Sequence, residues 1–131
     1  MKQRQKKTQT IVRYLSADEN VYYGIIKDGE ILQLTSSFTE IINDEITFDG
    51  VRLNIGDVKI LEPVVPQKVI NFGWTYTEHA KETGGQANLK EPFLFLKPAS
   101  SLIPNGGDII LPSTKLTNQV ELEGEVALII G

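Results

Sequence analysis

The chain has 131 residues, of which 40% are hydrophobic and 23% are charged, and it contains no cysteine. This composition excludes a disordered chain and a protein held together by disulfide bonds or thiolate-bound metal. The net charge of -4 is unevenly distributed: four basic side chains and no acidic one lie in the first ten residues, which leaves nine basic against seventeen acidic side chains.

Residues 1–10 are predicted to form a flexible basic tail. A nucleic-acid-binding arm is the alternative interpretation, but the acidic remainder of the chain is a poor binder of phosphate backbones. No apolar run follows the tail, as a signal peptide would require, and no stretch is long enough to cross a bilayer. We therefore expect a cytoplasmic protein with no nucleic-acid partner and no membrane partner.

Strand patterns dominate the part of the chain that follows the tail. The predicted strands cover residues 10–15, 21–26, 31–34, 46–53 and 57–61. Asp28-Gly29 lies between two of them and indicates a hairpin. Residues 38–42 fit one helical turn, with Thr35 or Ser36 as its cap. These elements predict a small antiparallel β domain, which we assign to residues 11–62.

The segment Pro63-Val64-Val65-Pro66 is a predicted boundary, because proline removes a ladder donor and restricts the residue before it. Residues 75–83 have helical composition, and Gly84-Gly85 is the expected C-cap. Strands are predicted over residues 68–73, 91–98, 108–112 and 121–130. The first is expected to be a buried strand, and the apolar run within the last is expected to be buried on both faces. The fold class is therefore mainly β, of the α+β kind.

Three carboxylates alternate in the last predicted strand. Side chains two residues apart lie on one face of a strand, so Glu121, Glu123 and Glu125 would project together. Like charges this close repel one another, and a hard cation such as Mg²⁺ or Mn²⁺ would offset the repulsion with oxygen ligands. A solvated strand face is the alternative, and the spacing leaves both interpretations open.

Two further positions could carry chemistry. His79, the only histidine, lies three residues before Glu82, a spacing that places both on one face of a helix. A carboxylate can orient an imidazole for proton transfer, although most surface pairs of this kind do nothing. Lys97 ends the strand FLFLK on the same face as Phe93 and Phe95. It could bind a carboxylate-bearing ligand or protect a sheet edge in solvent.

Three segments resemble motifs of the fumarylacetoacetate hydrolase family, in the family's order and with similar gaps. KVINFGWTYTEHAKETGG resembles the strand–GxNYxxHxxE segment, and EPFLFLKPASSLIPNGGDIILP resembles the EPxxFLKP strand with its loop. LTNQVELEGEVALIIG resembles the strand in which ExE precedes an apolar run. The resemblance covers residues 57–131. It implies that residues 63–131 are the first part of a mixed β-roll catalytic domain, preceded by the small N-terminal β domain of bacterial members.

The resemblance also implies roles for individual residues. Glu123 and Glu125 match the family's metal-ligand glutamates for Mg²⁺ or Mn²⁺, whereas Glu121 falls outside that pair. His79 and Glu82 match the acid–base dyad, and Lys97 matches the substrate-site lysine. Family members cleave, decarboxylate, hydrate or tautomerise 2-oxo and β-diketo acids. The implied enzyme is therefore a hydrolase, decarboxylase or isomerase that forms a metal-stabilised enolate from a small 2-oxo acid, as a homodimer when complete.

The chain departs from the family pattern in three respects. Thr75 stands where the family usually has asparagine, and Trp74 occupies a position that varies in the family. The aspartate that supplies the family's third metal ligand does not follow the ExE pair. We therefore expect an incomplete, truncated catalytic domain that is inactive alone, as a fragment or one half of a split enzyme. The alternative is a non-catalytic remnant or interaction fragment.

Overall fold

The computed structural model describes residues 8–82, 84, 90–91 and 93–130. The chain divides into two units, one formed by Met1–Pro63 with Ile103–Gly131 and the other by Val64–Leu102. The domain limits inferred from the sequence stay a prediction. No helix within the described residues has the length and apolar character needed to cross a membrane.

The first unit is built on a five-stranded antiparallel sheet. Its strands are β1 (Thr10–Leu15), β2 (Val21–Lys27), β3 (Glu30–Leu34), β4 (Phe48–Asn54) and β5 (Lys59–Ile60). They lie in the order β4-β3-β2-β1-β5. The short helix α1 (Phe38–Ile42) connects β3 to β4, and a single 3₁₀ turn (Ile55–Asp57) follows β4.

The predicted hairpin between β2 and β3 is confirmed. Asp28 and Gly29 both have positive φ angles, of 53° and 84°, and Lys27 pairs with Glu30 across the turn. Two positive φ values are typical of a type I′ turn, whose twist matches that of the strands. The second Asp-Gly pair behaves differently, because Gly50 (φ 88°) lies inside β4, where the register against β3 shifts between Leu32 and Leu34.

Helix α1 forms where the sequence predicts it, but its predicted caps are wrong. The N-cap is Ser37, whose backbone N–H donates to Glu40 Oε2 at 2.6 Å while its hydroxyl accepts from the Glu40 N–H. Ser36 cannot serve, because its buried hydroxyl donates to the Glu45 carbonyl at 2.9 Å and accepts from the Thr47 N–H at 2.7 Å. The hydroxyl of Thr35 is likewise paired, with that of Thr47.

Both faces of the five-stranded sheet contain buried residues. One face packs Ile25 and Leu34 against Ile41 of α1, with further apolar contacts from Ile11, Tyr23 and Ile46. On the opposite face Tyr14 and Ile31 are fully buried. Gly24 lies beside them, and a Cβ at this position would overlap Ile31 Cγ2 and lie 3.2 Å from Tyr14 Cε1.

The second unit contains a two-stranded antiparallel sheet and one helix. Strand β6 (Val69–Gly73) pairs with β7 (Phe93–Lys97), from Val69 opposite Lys97 to Gly73 opposite Phe93. Helix α2 (Thr77–Glu82) follows β6, and a 3₁₀ turn (Ala99–Ser101) follows β7. Gly84 has a φ of 74° and its N–H donates to the Lys81 carbonyl, as a C-cap requires. Gly85, the other half of the predicted cap, lies outside the described residues.

A mainly β fold is confirmed, but three details of the prediction are wrong. Residues 108–112 and 121–130 form no strand, and their apolar side chains are exposed, Ile110 and Ile130 among them. A strand is stabilised by a ladder to a neighbouring strand, and no described segment pairs with either stretch. Strand β6 was expected to be buried, yet Ile70 and Phe72, which share one face of the two-stranded sheet, are exposed. A sheet face is buried only where another element packs against it.

Candidate functional site

Helix α2 carries the predicted acid–base pair. It begins four residues after β6 ends, and the Ala80 N–H donates to the Tyr76 carbonyl at 3.0 Å. Ala80 is fully buried and His79 is half-buried, whereas Glu82 is exposed. The helix places His79 and Glu82 three residues apart, the same spacing that separates Glu78 from Lys81, whose side chains form an ion pair at 2.8 Å. The catalytic role of His79 and Glu82 stays a prediction.

Strand β7 carries Lys97 at its end. The Lys97 Nζ atom lies 5.9 Å from the centroid of the Phe95 ring, and the Phe95 and Phe93 ring centroids are 6.1 Å apart. The predicted common face of these three side chains is therefore confirmed. The ammonium group remains exposed at the strand end, where a ligand carboxylate could approach it. Its role as a substrate lysine stays a prediction.

Trp74 extends this face in a way that the sequence did not indicate. Its indole centroid lies 6.4 Å from that of Phe93. Trp74 also has a φ of 55°, which is unfavourable for a bulky side chain and is found mainly where the surrounding structure enforces it. The preceding Gly73 accommodates the Phe93 ring, because a Cβ there would lie 2.9 Å from Phe93 Cδ1. The sequence signal for this face was the alternation of Phe93 and Phe95 in β7, which does not include Trp74.

The two predicted metal ligands lie in the other unit. Glu123 and Glu125 belong to an exposed segment without regular secondary structure, as does Glu121. Their chemistry fits Mg²⁺ or Mn²⁺, which prefer carboxylate oxygen. Within residues 8–82, 84, 90–91 and 93–130, however, no three histidine or acidic side chains come close enough together to hold a metal ion. The pair supplies two ligands of the right kind, and the described residues do not complete the set.

Two protein families match this chain, and the boundary between the two matches lies close to the predicted boundary at Pro63-Val64-Val65-Pro66. Residues 68–131 match the family described as fumarylacetoacetate (FAA) hydrolase C-terminal. Residues 10–63 match the family described as Rv2993c-like, N-terminal.

Individual proteins also show similarity to this chain. An uncharacterized protein of Archaeoglobus fulgidus is 40% identical over 91 residues, which cover 70% of this chain and 35% of that relative. The structure of 2-hydroxyhepta-2,4-diene-1,7-dioate isomerase from Mycobacterium marinum has a TM-score of 0.56 and 21% identity, over 73% of this chain and 34% of that one.

The structure of 5-carboxymethyl-2-hydroxymuconate delta-isomerase from Mycobacterium smegmatis is also similar. Its TM-score is 0.53 at 24% identity, over 73% of this chain and 35% of that one. These structural likenesses establish the fold. The chain spans about a third of the length of each of these proteins.

Proposed function

Because residues 68–131 belong to the fumarylacetoacetate hydrolase family, we propose that this chain contributes site residues to a divalent-metal-dependent enzyme acting on 2-oxo or β-diketo acids. The observation that carries the proposal is that the family match includes all the candidate residues, namely His79, Glu82, Lys97, Glu123 and Glu125. Two proteins that share the fold are isomerases by name, which favours a reaction that moves a proton from one atom of the substrate to another.

Helix α2 is the proposed source of the acid–base groups. His79 is the group proposed to take up and release the proton, since imidazole is the side chain that most often does so in enzymes. Glu82 lies on the same helix face, one turn further on, and is proposed to orient the imidazole or to share its proton.

The other three residues are proposed to hold the substrate and the cation. Lys97 is proposed to bind a substrate carboxylate, since its ammonium is exposed at the end of β7. Glu123 and Glu125 are the proposed ligands of Mg²⁺ or Mn²⁺. When bound, the cation supplies positive charge that favours an enolate over the neutral keto form.

Because this chain is expected to be inactive alone, the test uses substitutions on α2 in a complete enzyme that contains these residues, in a 2-oxo acid assay with added Mg²⁺ or Mn²⁺. His79→Ala should lower turnover by roughly 10²–10⁴-fold, the usual contribution of a general acid–base group. Glu82→Gln should also lower turnover, whereas the same change at Glu78, which is paired with Lys81 on that helix, should not. Metal content should be unchanged in all three variants, because none of these residues is a proposed ligand.

Two results would contradict the proposal. The first is wild-type turnover by the His79→Ala variant, and the second is loss of metal from it. If the complete enzyme turns over no 2-oxo acid in a broad panel with either cation, the alternative of a non-catalytic remnant gains support.

A further inference from the structure

One face of the β6–β7 sheet carries a continuous row of rings that ends in a cation. From Lys97 Nζ to the Phe95 ring, from Phe95 to Phe93 and from Phe93 to Trp74, the successive separations are 5.9, 6.1 and 6.4 Å. The two ring pairs and the one cation–ring pair are therefore spaced at nearly equal distances. Trp74 and Phe93 are more than half exposed, at 52% and 63%.

The row depends on two unusual features of the backbone. Gly73 has no side chain, which leaves the space above it to the Phe93 ring. Trp74 then adopts a positive φ, a conformation that is strained for a bulky side chain. Such strain persists where the surroundings enforce it, and functional sites are where it concentrates. Here the positive φ of Trp74 accompanies a contact between its indole and the Phe93 ring.

The composition of the row specifies the chemistry of what it can bind. Exposed aromatic rings stack on flat π-systems, and this stacking adds to the free energy gained by burial alone. The ammonium at one end attracts an anion. The other face of the same sheet lacks this pattern, since it carries Ile70, Phe72, Leu94 and Leu96, which offer neither charge nor successive rings.

We infer that Trp74, Phe93, Phe95 and Lys97 form a specificity-determining surface for carboxylates that carry a flat aromatic group. The carboxylate pairs with Lys97, and the aromatic group stacks along Phe95, Phe93 and Trp74. The inference deepens the proposed function and rests on it in one respect, namely that Lys97 faces a substrate carboxylate. In this inference the aromatic row selects the part of the substrate that lies away from its carboxylate.

Trp74 is the only tryptophan, so its fluorescence reports directly on the row. The experiment titrates the metal-free chain with trans-cinnamate, with the neutral and flat cinnamyl alcohol, and with the anionic but non-planar 3-cyclohexylpropanoate. Cinnamate should quench the fluorescence saturably. The alcohol should bind roughly tenfold more weakly without its charge, and the cyclohexyl acid roughly fivefold more weakly without stacking. Absence of saturable quenching by cinnamate overturns the inference.

Variants separate binding from folding. Lys97→Met should weaken cinnamate binding roughly tenfold and leave binding of the alcohol unchanged. Phe93→Leu should weaken cinnamate binding roughly fivefold. Phe72→Leu, the same change on the opposite face of the sheet, should change it less than about twofold. Equal losses for Phe93→Leu and Phe72→Leu would trace the effect to sheet stability and overturn the inference. Since no metal or turnover is involved, failure here is distinguishable from failure of the proposed enzymatic activity.

Discussion

Tyr14 shows how one buried side chain helps to connect three strands, β1, β3 and β4. Its hydroxyl donates to Gln33 Oε1 at 2.7 Å, and Gln33 Nε2 in turn donates to Asp49 Oδ2 at 2.7 Å. Burial raises the pKa of Tyr14 from 10.0 to about 12, and the negative charge of Asp49 acts in the same direction. Both effects disfavour the phenolate in the folded state.

This shift makes folding stability sensitive to alkaline pH. Below pH 10 the tyrosine is neutral in both states, whereas between pH 10 and about 12 the unfolded chain loses its proton first. The free energy of unfolding should therefore fall by at most about 2 kcal/mol across that range. Denaturant titrations at several pH values would measure the fall. Tyr14→Phe should remove most of it, and Tyr22→Phe should leave the Tyr14 contribution in place. An unchanged pH profile in Tyr14→Phe would contradict the assignment.

Gly24 is required by close packing rather than by backbone conformation. A Cβ there would overlap Ile31 Cγ2 and approach the Leu32 carbonyl oxygen to 3.1 Å. Gly24→Ala should lower the free energy of unfolding by about 1–3 kcal/mol, the usual cost of overpacking. Gly56 is the matched control, since its Cβ would meet nothing within 4 Å. Gly56→Ala should change stability by less than about 1 kcal/mol. Equal effects of the two changes would show that Gly24 is not tightly packed.

At the scale of elements, the sequence predicts those that are specified locally. The hairpin at Asp28-Gly29 follows from turn chemistry, and the span of α1 follows from its flanking polar residues. The cap of α1 was misplaced because Ser36 is engaged by Glu45 and Thr47, which are remote in sequence. Residues 121–130 have the composition of a strand, but strand formation depends on a partner that composition cannot supply.

The capping box of α1 can be tested by itself. Ser37→Ala removes the hydroxyl that accepts from the Glu40 N–H and should cost about 1 kcal/mol of stability. Thr39→Ala, on the exposed first turn of the same helix, should stay within about 0.5 kcal/mol of the wild type. Chemical denaturation of both variants gives the comparison. A larger loss for Thr39→Ala than for Ser37→Ala would contradict the capping role.

At the scale of the whole molecule, sequence motifs name candidate residues but do not predict which of these residues come together in the folded chain. The order and spacing of the motifs predicted the family, which the match of residues 68–131 confirms. The row formed by Trp74, Phe93 and Phe95 was not predicted, because it depends on the positive φ of Trp74 and on pairing between β6 and β7. Metal coordination likewise depends on contacts between residues that are distant in sequence, and the spacing of residues within one strand does not predict such contacts.

The affinity of the chain for a divalent metal ion can be predicted from the two carboxylates proposed as ligands. Glu123 and Glu125 offer oxygen ligands, but the described residues bring no third histidine or acidic side chain to them. Mg²⁺ and Mn²⁺ need several oxygen ligands in a fixed geometry, so we expect the 131-residue chain to bind Mn²⁺ with a Kd on the order of 10⁻³ M. At that concentration the ion would stabilise the fold by only about 0.4 kcal/mol.

Calorimetric titration distinguishes this weak pair from a complete site. Glu123→Gln and Glu125→Gln should each abolish the residual binding, because each removes one of the two ligands. Glu121→Gln makes the same change in charge on the same segment but lies outside the pair, so it should retain most of the binding. If all three variants lose binding equally, the ion responds to the charge of the segment and not to a ligand pair. Tight, stoichiometric binding that only Glu123→Gln and Glu125→Gln abolish would mean that this chain assembles a complete ligand set, which would contradict the prediction.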